Sequence, residues 1–262
     1  MKKLWLEANM DSPQLFEIPC GQVVVYSRRC PNRRTPNEDA AMVFLVDEAR
    51  AVLVVADGCG GMSGGADASR IAVTTIRRSL ERVASGGSLR SAILDGVEAA
   101  NRKILKLGVG AATTLTVAVI ERDRVRSLHI GDSQIVLVGA RGKVKLQTPT
   151  HSPVGYAIEA GVLSESDAMT HEDRHLVSNV VGTHGCWVQV GLQRKVAKRD
   201  TLILATDGIF DSFSIEEVSE LIRSGPLEKA AKELAYQAAD RIDSDIGKPD
   251  DATFLLYRRV CS

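Results

Sequence analysis

Five aspartates stand where apolar runs end or begin: Asp39 in Asn37-Glu38-Asp39, Asp57 after Val52–Ala56, Asp132 after Leu128-His-Ile-Gly131, Asp207 after Leu202–Thr206, and Asp251 just before Thr253–Arg258. An ionised carboxylate at the end of a buried strand has to be paired or metal-bound, because isolating it in apolar surroundings costs too much. Taken singly, each is more often an ordinary turn residue. Two of them share nearly the same phrase, Val54-Val-Ala-Asp57-Gly58 and Leu204-Ala-Thr-Asp207-Gly208, in which glycine lets the backbone turn tightly beside the carboxylate. If these strand ends converge, the carboxylates repel one another, and hard divalent cations with oxygen ligands neutralise them. Magnesium or manganese suits such a set and zinc does not. Of the five histidines only His171 and His175 are four apart, and they flank Asp173-Arg174 in a polar stretch where solvated side chains are the ordinary reading.

The elements that must position these carboxylates can be read from periodicity. Gln22–Ser27, Ala41–Val46 and Ala51–Ala56 are short β-branched runs after an irregular start. Residues 66–83 and 88–107 repeat apolar side chains at helical spacing and form an expected antiparallel pair. A meander of four strands follows over 113–120, 125–130, 134–138 and 143–147. The stretch 151–182 is polar and irregular, with Ser164 and Asp167 spaced as a helix start. Thr201–Ala205 is a further strand, Ser214-Ile-Glu-Glu217 is a capping box, Pro226 opens a last helix to about Ile242, and Thr253–Arg258 is the final strand. Strands that cluster, with helices paired between the clusters, argue for an α+β layered sandwich and against a doubly wound parallel sheet.

Composition narrows the functional classes. The 262 residues suffice for one domain, 1–262. Lys plus Arg equals Asp plus Glu at 33 each, so no global field draws in nucleic acid or an anionic membrane. No stretch reads as a membrane span or signal peptide. The five cysteines, Cys20, Cys30, Cys59, Cys186 and Cys261, are odd in number and form no CxxC pair, which reads as reduced thiols in a cytoplasm.

In order, Arg34-Thr-Pro-Asn-Glu-Asp39, Ala56-Asp-Gly-Cys-Gly-Gly61, Gly110-Ala-Ala-Thr-Thr114, His129-Ile-Gly-Asp-Ser133, Ala205-Thr-Asp-Gly-Ile-Phe-Asp211 and Asp250-Asp-Ala-Thr253 resemble the metal-dependent protein phosphatase family, type 2C, in its compact bacterial form. The resemblance spans about residues 22 to 258. It implies a four-layer α-β-β-α sandwich of two antiparallel sheets with a helical pair on each outer face. It also implies hydrolysis of phosphoserine and phosphothreonine esters by a hydroxide bridging two Mn2+ or Mg2+ ions. The substrate is then a phosphorylated protein, and a cognate serine/threonine kinase is the complementary partner.

By the same resemblance Asp57 bridges the two metals, Gly58 gives its backbone carbonyl, Asp39 completes one shell, and Asp207 and Asp251 hold the other ion. Asp132 marks a third, weaker metal, Glu38 stays outside direct ligation, and Arg34 binds the substrate phosphate. Residues 152–182, with Arg174, resemble a flap beside the bacterial site. Cys59 stands where many relatives have histidine, and Ala252 where asparagine is usual. Thr113 and Thr114 read equally as a strand start, and Asp211 with Ser212 as the approach to a helix cap, so none of them is placed in the site. Two other readings stay open. A catalytically weak pseudo-phosphatase acting as a signalling protein-binding module is expected to lose ligands. An aspartyl-nucleophile phosphotransferase wants a DxD pair, whereas Asp57 is followed by Gly-Cys and Asp207 by Gly-Ile.

Overall fold

The computed structural model describes residues 2–31, 33, 35–59, 64–83, 87–168, 171–244 and 249–259. The expected run Gln22–Ser27 is the middle of strand Gly21–Arg28, and its side chains serve two layers at once. Val24 and Tyr26 face one helical pair, while Val23 and Val25 face the opposite sheet. Strand Arg50–Ala56 divides the same way, with Val52 and Val54 turned to helices and Leu53 and Val55 turned inward. A strand covered on both faces has no polar side to show, which is why these stretches read as continuous apolar runs.

Three apolar cores therefore separate four layers. The first sheet orders strands Lys2–Leu6, Ala40–Leu45, Arg50–Ala56, Leu115–Glu121, Arg124–Ile130 and Gln189–Val190, with Arg194–Lys195 also paired to Arg124–Ile130. The second orders Val144–Gln147, Gln134–Val138, Thr201–Ala205, Ala252–Arg258, Gly21–Arg28 and Gln14–Ile18. Every pairing in both is antiparallel. Helices Gly65–Glu81 and Leu89–Leu105 cover the first sheet through Ala72, Ile76, Ile93 and Val97. Helices Ile215–Ile222 and Leu227–Asp243 cover the second through Val218, Ile222, Ala231 and Leu234. This is the α+β sandwich that the sequence implies.

Local signals set the helix starts. Ser214 and Glu217 form both bonds of the capping box, at 3.2 and 2.8 Å. Ser88 accepts from the amide of Ser91, and Pro226 precedes the last long helix. A cap contributes about 1 kcal/mol, whereas each fully buried aliphatic side chain contributes about 1.5–3 kcal/mol. The layered cores, rather than the caps, therefore decide the architecture.

The irregular start expected before Gln22 is corrected: Lys2–Leu6 and Gln14–Ile18 are strands, one at an edge of each sheet. Both are only partly buried, so their apolar alternation is weak, and Trp5 of one packs on Phe16 of the other with ring centres 5.6 Å apart. Two-residue strands at Gly58–Cys59 and Ala112–Thr113 pair with each other and were not legible either. In the stretch after His151, Ser152 accepts from the amide of Gly155 to start helix Pro153–Glu159, and Ser164 accepts from the amide of Asp167 to start helix Glu165–Ala168. No helix of the described residues is long and apolar enough to cross a membrane.

Candidate metal and phosphate site

The five aspartates gather at one end of the sandwich, where strand ends of both sheets meet. Asp39 precedes strand Ala40–Leu45 and Asp57 follows Arg50–Ala56 in the first sheet. Asp132 lies in the turn from Arg124–Ile130 to Gln134–Val138, which passes from one sheet to the other. Asp207 follows Thr201–Ala205 and opens a short helix, Asp207–Phe210, and Asp251 precedes Ala252–Arg258 in the second sheet.

Their mutual charge shows the convergence. Burial, followed by the charges of Asp207, Asp39 and Asp132, pushes the Asp57 carboxyl well above the ordinary range. Burial, followed by the charges of Asp251 and Asp207, does the same to Asp39. Asp39 is 1% exposed; its Oδ2 accepts from the Thr206 hydroxyl at 3.1 Å, while its Oδ1 is buried with no hydrogen-bond partner. A buried carboxylate oxygen without a donor, in a field of other carboxylates, calls for a cation. The available donors are carboxylate and carbonyl oxygens, which fit Mg2+ or Mn2+. Among the described residues no three acidic, histidine or cysteine side chains are assembled to hold an ion by themselves. Such ions keep several waters and accept backbone carbonyls, so pairs of carboxylates with Gly58 fit their demands.

Backbone and hydroxyl groups hold the carboxylates in place. Asp251 receives the Cys30 amide on Oδ1 and the Glu38 amide on Oδ2, each at 2.7 Å. Gly58 donates its amide to the Glu38 carbonyl at 3.2 Å, and that carbonyl and Gly65 occupy the space a β-carbon would need. Asp57 is gripped on both sides of its backbone. Its amide donates to the Thr114 hydroxyl at 3.0 Å, and its carbonyl accepts from the Thr113 hydroxyl and the Thr114 amide, each at 2.8 Å. Thr114 also meets the Ser133 hydroxyl at 2.7 Å, tying the Asp57 and Asp132 turns together.

Thr113, in strand Ala112–Thr113, and Thr114, both left out of the site as a possible strand start, are also positioning residues, and the Gly-Ala-Ala-Thr-Thr motif was their signal. Asp211 joins Asp132, Asp207, Phe210 and Arg174 in lining a cleft of about 110 Å³, so it belongs to the wall of the site rather than to a helix approach alone. Sequence reasoning also passed over Asp250, which pairs with Arg33 at 2.7 Å and adds its charge at Asp39 and Asp57. The expected phosphate ligand Arg34 and the cysteine Cys261 lie outside the described residues. His171 accepts from the Asp173 amide at 3.1 Å in a local turn and His175 is exposed, as expected of a solvated stretch.

Burial, then the charges of Asp57, Asp132 and Asp207, pushes the Cys59 thiol well up, so it stays protonated and holds its proton tightly. Such a thiol is a poor general acid. Cys59→Ser is expected to leave turnover of an aryl phosphate within about threefold of wild type, with alkyl phosphates slower in both proteins. Rates measured across esters of graded leaving-group acidity check this, and a large loss in Cys59→Ser with folding intact would return a chemical role to the thiol.

The model of the family described as Protein phosphatase 2C matches residues 28–238. Protein phosphatase PhpP of Streptococcus pneumoniae is 28% identical over 234 residues, spanning 86% of this chain and 92% of that protein. The solved serine/threonine phosphatase of S. agalactiae superposes with a TM-score of 0.79 at 25% identity, covering 91% of this chain and 99% of the other. The catalytic domain of the serine/threonine protein phosphatase PstP, solved in complex with 2 manganese ions, gives a TM-score of 0.74 at 25% identity, over 91% and 98% of the two chains. With its layers, its grouped aspartates and these similarities, the chain belongs to the protein phosphatase 2C family.

Proposed function

We propose that this protein is a metal-dependent serine/threonine phosphatase acting on phosphorylated proteins. The observation that carries this reading is the gathering of buried carboxylates with an orphaned oxygen on Asp39, a site that asks for divalent cations. In the proposed assignment Asp39, Asp57 and the Gly58 carbonyl would hold one ion, and Asp207 and Asp251 with Asp57 would hold a second. Asp132 serves a weaker third position. Divalent ions bound there would supply an activated water as nucleophile and would offset the charge of the displacement.

The protein's own residues do the rest. Thr113 and Thr114 fix Asp57, the Cys30 and Glu38 amides fix Asp251, and Thr206 fixes Asp39, so the oxygens are preorganised before substrate arrives. Arg34 is assigned to the substrate phosphate, for which a bidentate guanidinium is suited. Beside the cleft lies a cavity of about 670 Å³ that shares Gln134, Thr150, Ile158 and Phe210 with it, and this neighbouring space is assigned to polypeptide beyond the ester. Residues 152–182 are assigned as the flap along this cleft, within one domain. The described cysteines are free thiols, which accords with a reducing cytoplasm, and a serine/threonine kinase is the expected counterpart.

The test is turnover of an aryl phosphate and of a phosphothreonine peptide, with manganese and then with chelator. Activity is expected only with metal, falling by about 100-fold or more on chelation. Undiminished turnover in chelator would overturn the assignment. The alternative of a silent binding module gains no support, since the aspartates it would be expected to lose are all present.

A further inference from the structure

His151 is 1% exposed and lies one residue before the segment 152–182, yet its contacts reach well beyond that segment. Its amide donates to the Gly131 carbonyl at 2.9 Å, and its Nδ1 accepts from the Gly131 amide at 3.1 Å. The same Nδ1 faces Asn179 Nδ2 at 2.9 Å, and the carbonyl of His151 accepts from the Ser178 amide at 2.8 Å. Nε2 lies 2.9 Å from Gln189 Oε1 in an edge strand of the first sheet. Because Nδ1 meets two N–H donors it must be the acceptor, which assigns the proton to Nε2, donating to Gln189. Burial, which lowers the pKa of this ring, favours that neutral form. The ring is also held between His129, centred 4.5 Å away, and Trp187, centred 4.3 Å away.

These contacts join parts that are distant in sequence. Gly131 adopts φ +100°, and a side chain there would collide with Thr114, the residue that grips Asp57. It is followed by Asp132 and by Ser133, which bonds Thr114. On the other side, Asn179 closes the far end of the segment, with its Nδ2 also donating to the Trp187 carbonyl at 2.8 Å. Between those ends lie Val154, Ile158, Ala168 and Arg174, which line the cleft together with Asp132 and Asp207.

We propose that His151 is a positioning residue that locks both ends of the 152–182 segment to the Asp132 turn, so that the cleft wall and the carboxylates keep one relative placement. Its effect on catalysis rests on the phosphatase reading of the site; its effect on the segment does not. Asparagine can replace the Nδ1 acceptor, whereas leucine fills the space and leaves the Gly131 amide and Asn179 without it.

The experiment compares His151→Leu, His151→Asn and Asn179→Ala in a Trp5→Phe background, where Trp187 is the remaining tryptophan. In His151→Leu and Asn179→Ala, Trp187 emission is expected to shift to the red with stronger acrylamide quenching, and proteolysis within 160–176 to accelerate about tenfold or more. The KM for a phosphothreonine peptide should rise about tenfold, with a smaller change for an aryl phosphate that does not span the cleft. His151→Asn should recover most of the proteolytic protection and the peptide KM. Unchanged fluorescence and proteolysis in Asn179→Ala and His151→Leu would overturn the proposal, as would equal losses in His151→Asn and His151→Leu. Should His151→Leu fail to fold, Asn179→Ala and His151→Asn decide alone. If wild type hydrolyses no phosphoester, the phosphatase reading falls, while the fluorescence and proteolysis results still decide the lock.

Discussion

Asp57→Asn is expected to lower metal-activated turnover by about 100- to 1000-fold while making the metal-free protein less sensitive to neutral pH. Asp57 is the carboxylate on which the charges of Asp39, Asp132 and Asp207 bear together. Asparagine keeps the shape, removes the charge, and leaves the backbone grip of Thr113 and Thr114 unaltered. In chelator, both Asp39 and Asp57 titrate above their unfolded value of 3.8. The folded state therefore binds more protons than the unfolded state above that value. Its added stability is present below 3.8 and is lost as pH rises through the raised folded values. The wild-type melting temperature in chelator should accordingly be lower at about pH 7.5 than at about pH 5, and Asp57→Asn should shrink that difference. Thermal melts of both proteins in chelator, with rates at saturating manganese, check the two halves. A mutant with wild-type turnover would show that the site is misplaced, and one with an equally steep pH dependence would show that Asp57 does not share the field.

Gly58→Ala is expected to damage both stability and activity, for a steric reason. A β-carbon at Gly58 would sit 2.7 Å from the Glu38 carbonyl oxygen and closer still to the Gly65 carbonyl, and neither is a flexible side-chain end. Overpacking against backbone costs about 1–3 kcal/mol, or roughly 2–10 °C in melting temperature for a chain of this size. The displaced segment carries Asp57 and the Gly58 carbonyl, so turnover should fall about 100-fold, the scale of a 1 Å misplacement. Calorimetry and a manganese titration measure these effects. A variant that melts and binds metal like wild type would mean the backbone at Gly58 has room that the structure does not show.

The parts of the molecule legible in the sequence are those whose pattern is local. Val23–Val25 and Val52–Val55 announce doubly covered strands because every residue in them is buried. The capping box at Ser214 and the helix entry at Pro226 fix boundaries because their chemistry lies within a few residues. Lys2–Leu6 and Gln14–Ile18 were not legible because an edge strand buries only part of one face, and for Lys2–Leu6 the pairing partner, about 40 residues away, leaves no local mark either. The aspartates were legible as candidates from their repeated contexts, and the family resemblance supplied their grouping. Thr114, Ser133 and Asp250 stood inside the resembling motifs, but their roles were not legible there, because their contribution is a bond or a charge reaching across the fold rather than a residue type suited to chemistry.

Strand Ala252–Arg258 lies inside the second sheet, with Thr201–Ala205 on one side and Gly21–Arg28 on the other. During synthesis from the ribosome, residues 21–28 therefore emerge long before the neighbour they pair with, and the second sheet stays open along its middle until residue 258 has left the exit tunnel. Asp251 arrives on that same last strand. Non-local pairing of this kind is slow to form, so closing the second sheet and bringing Asp251 beside the other aspartates are late steps of folding.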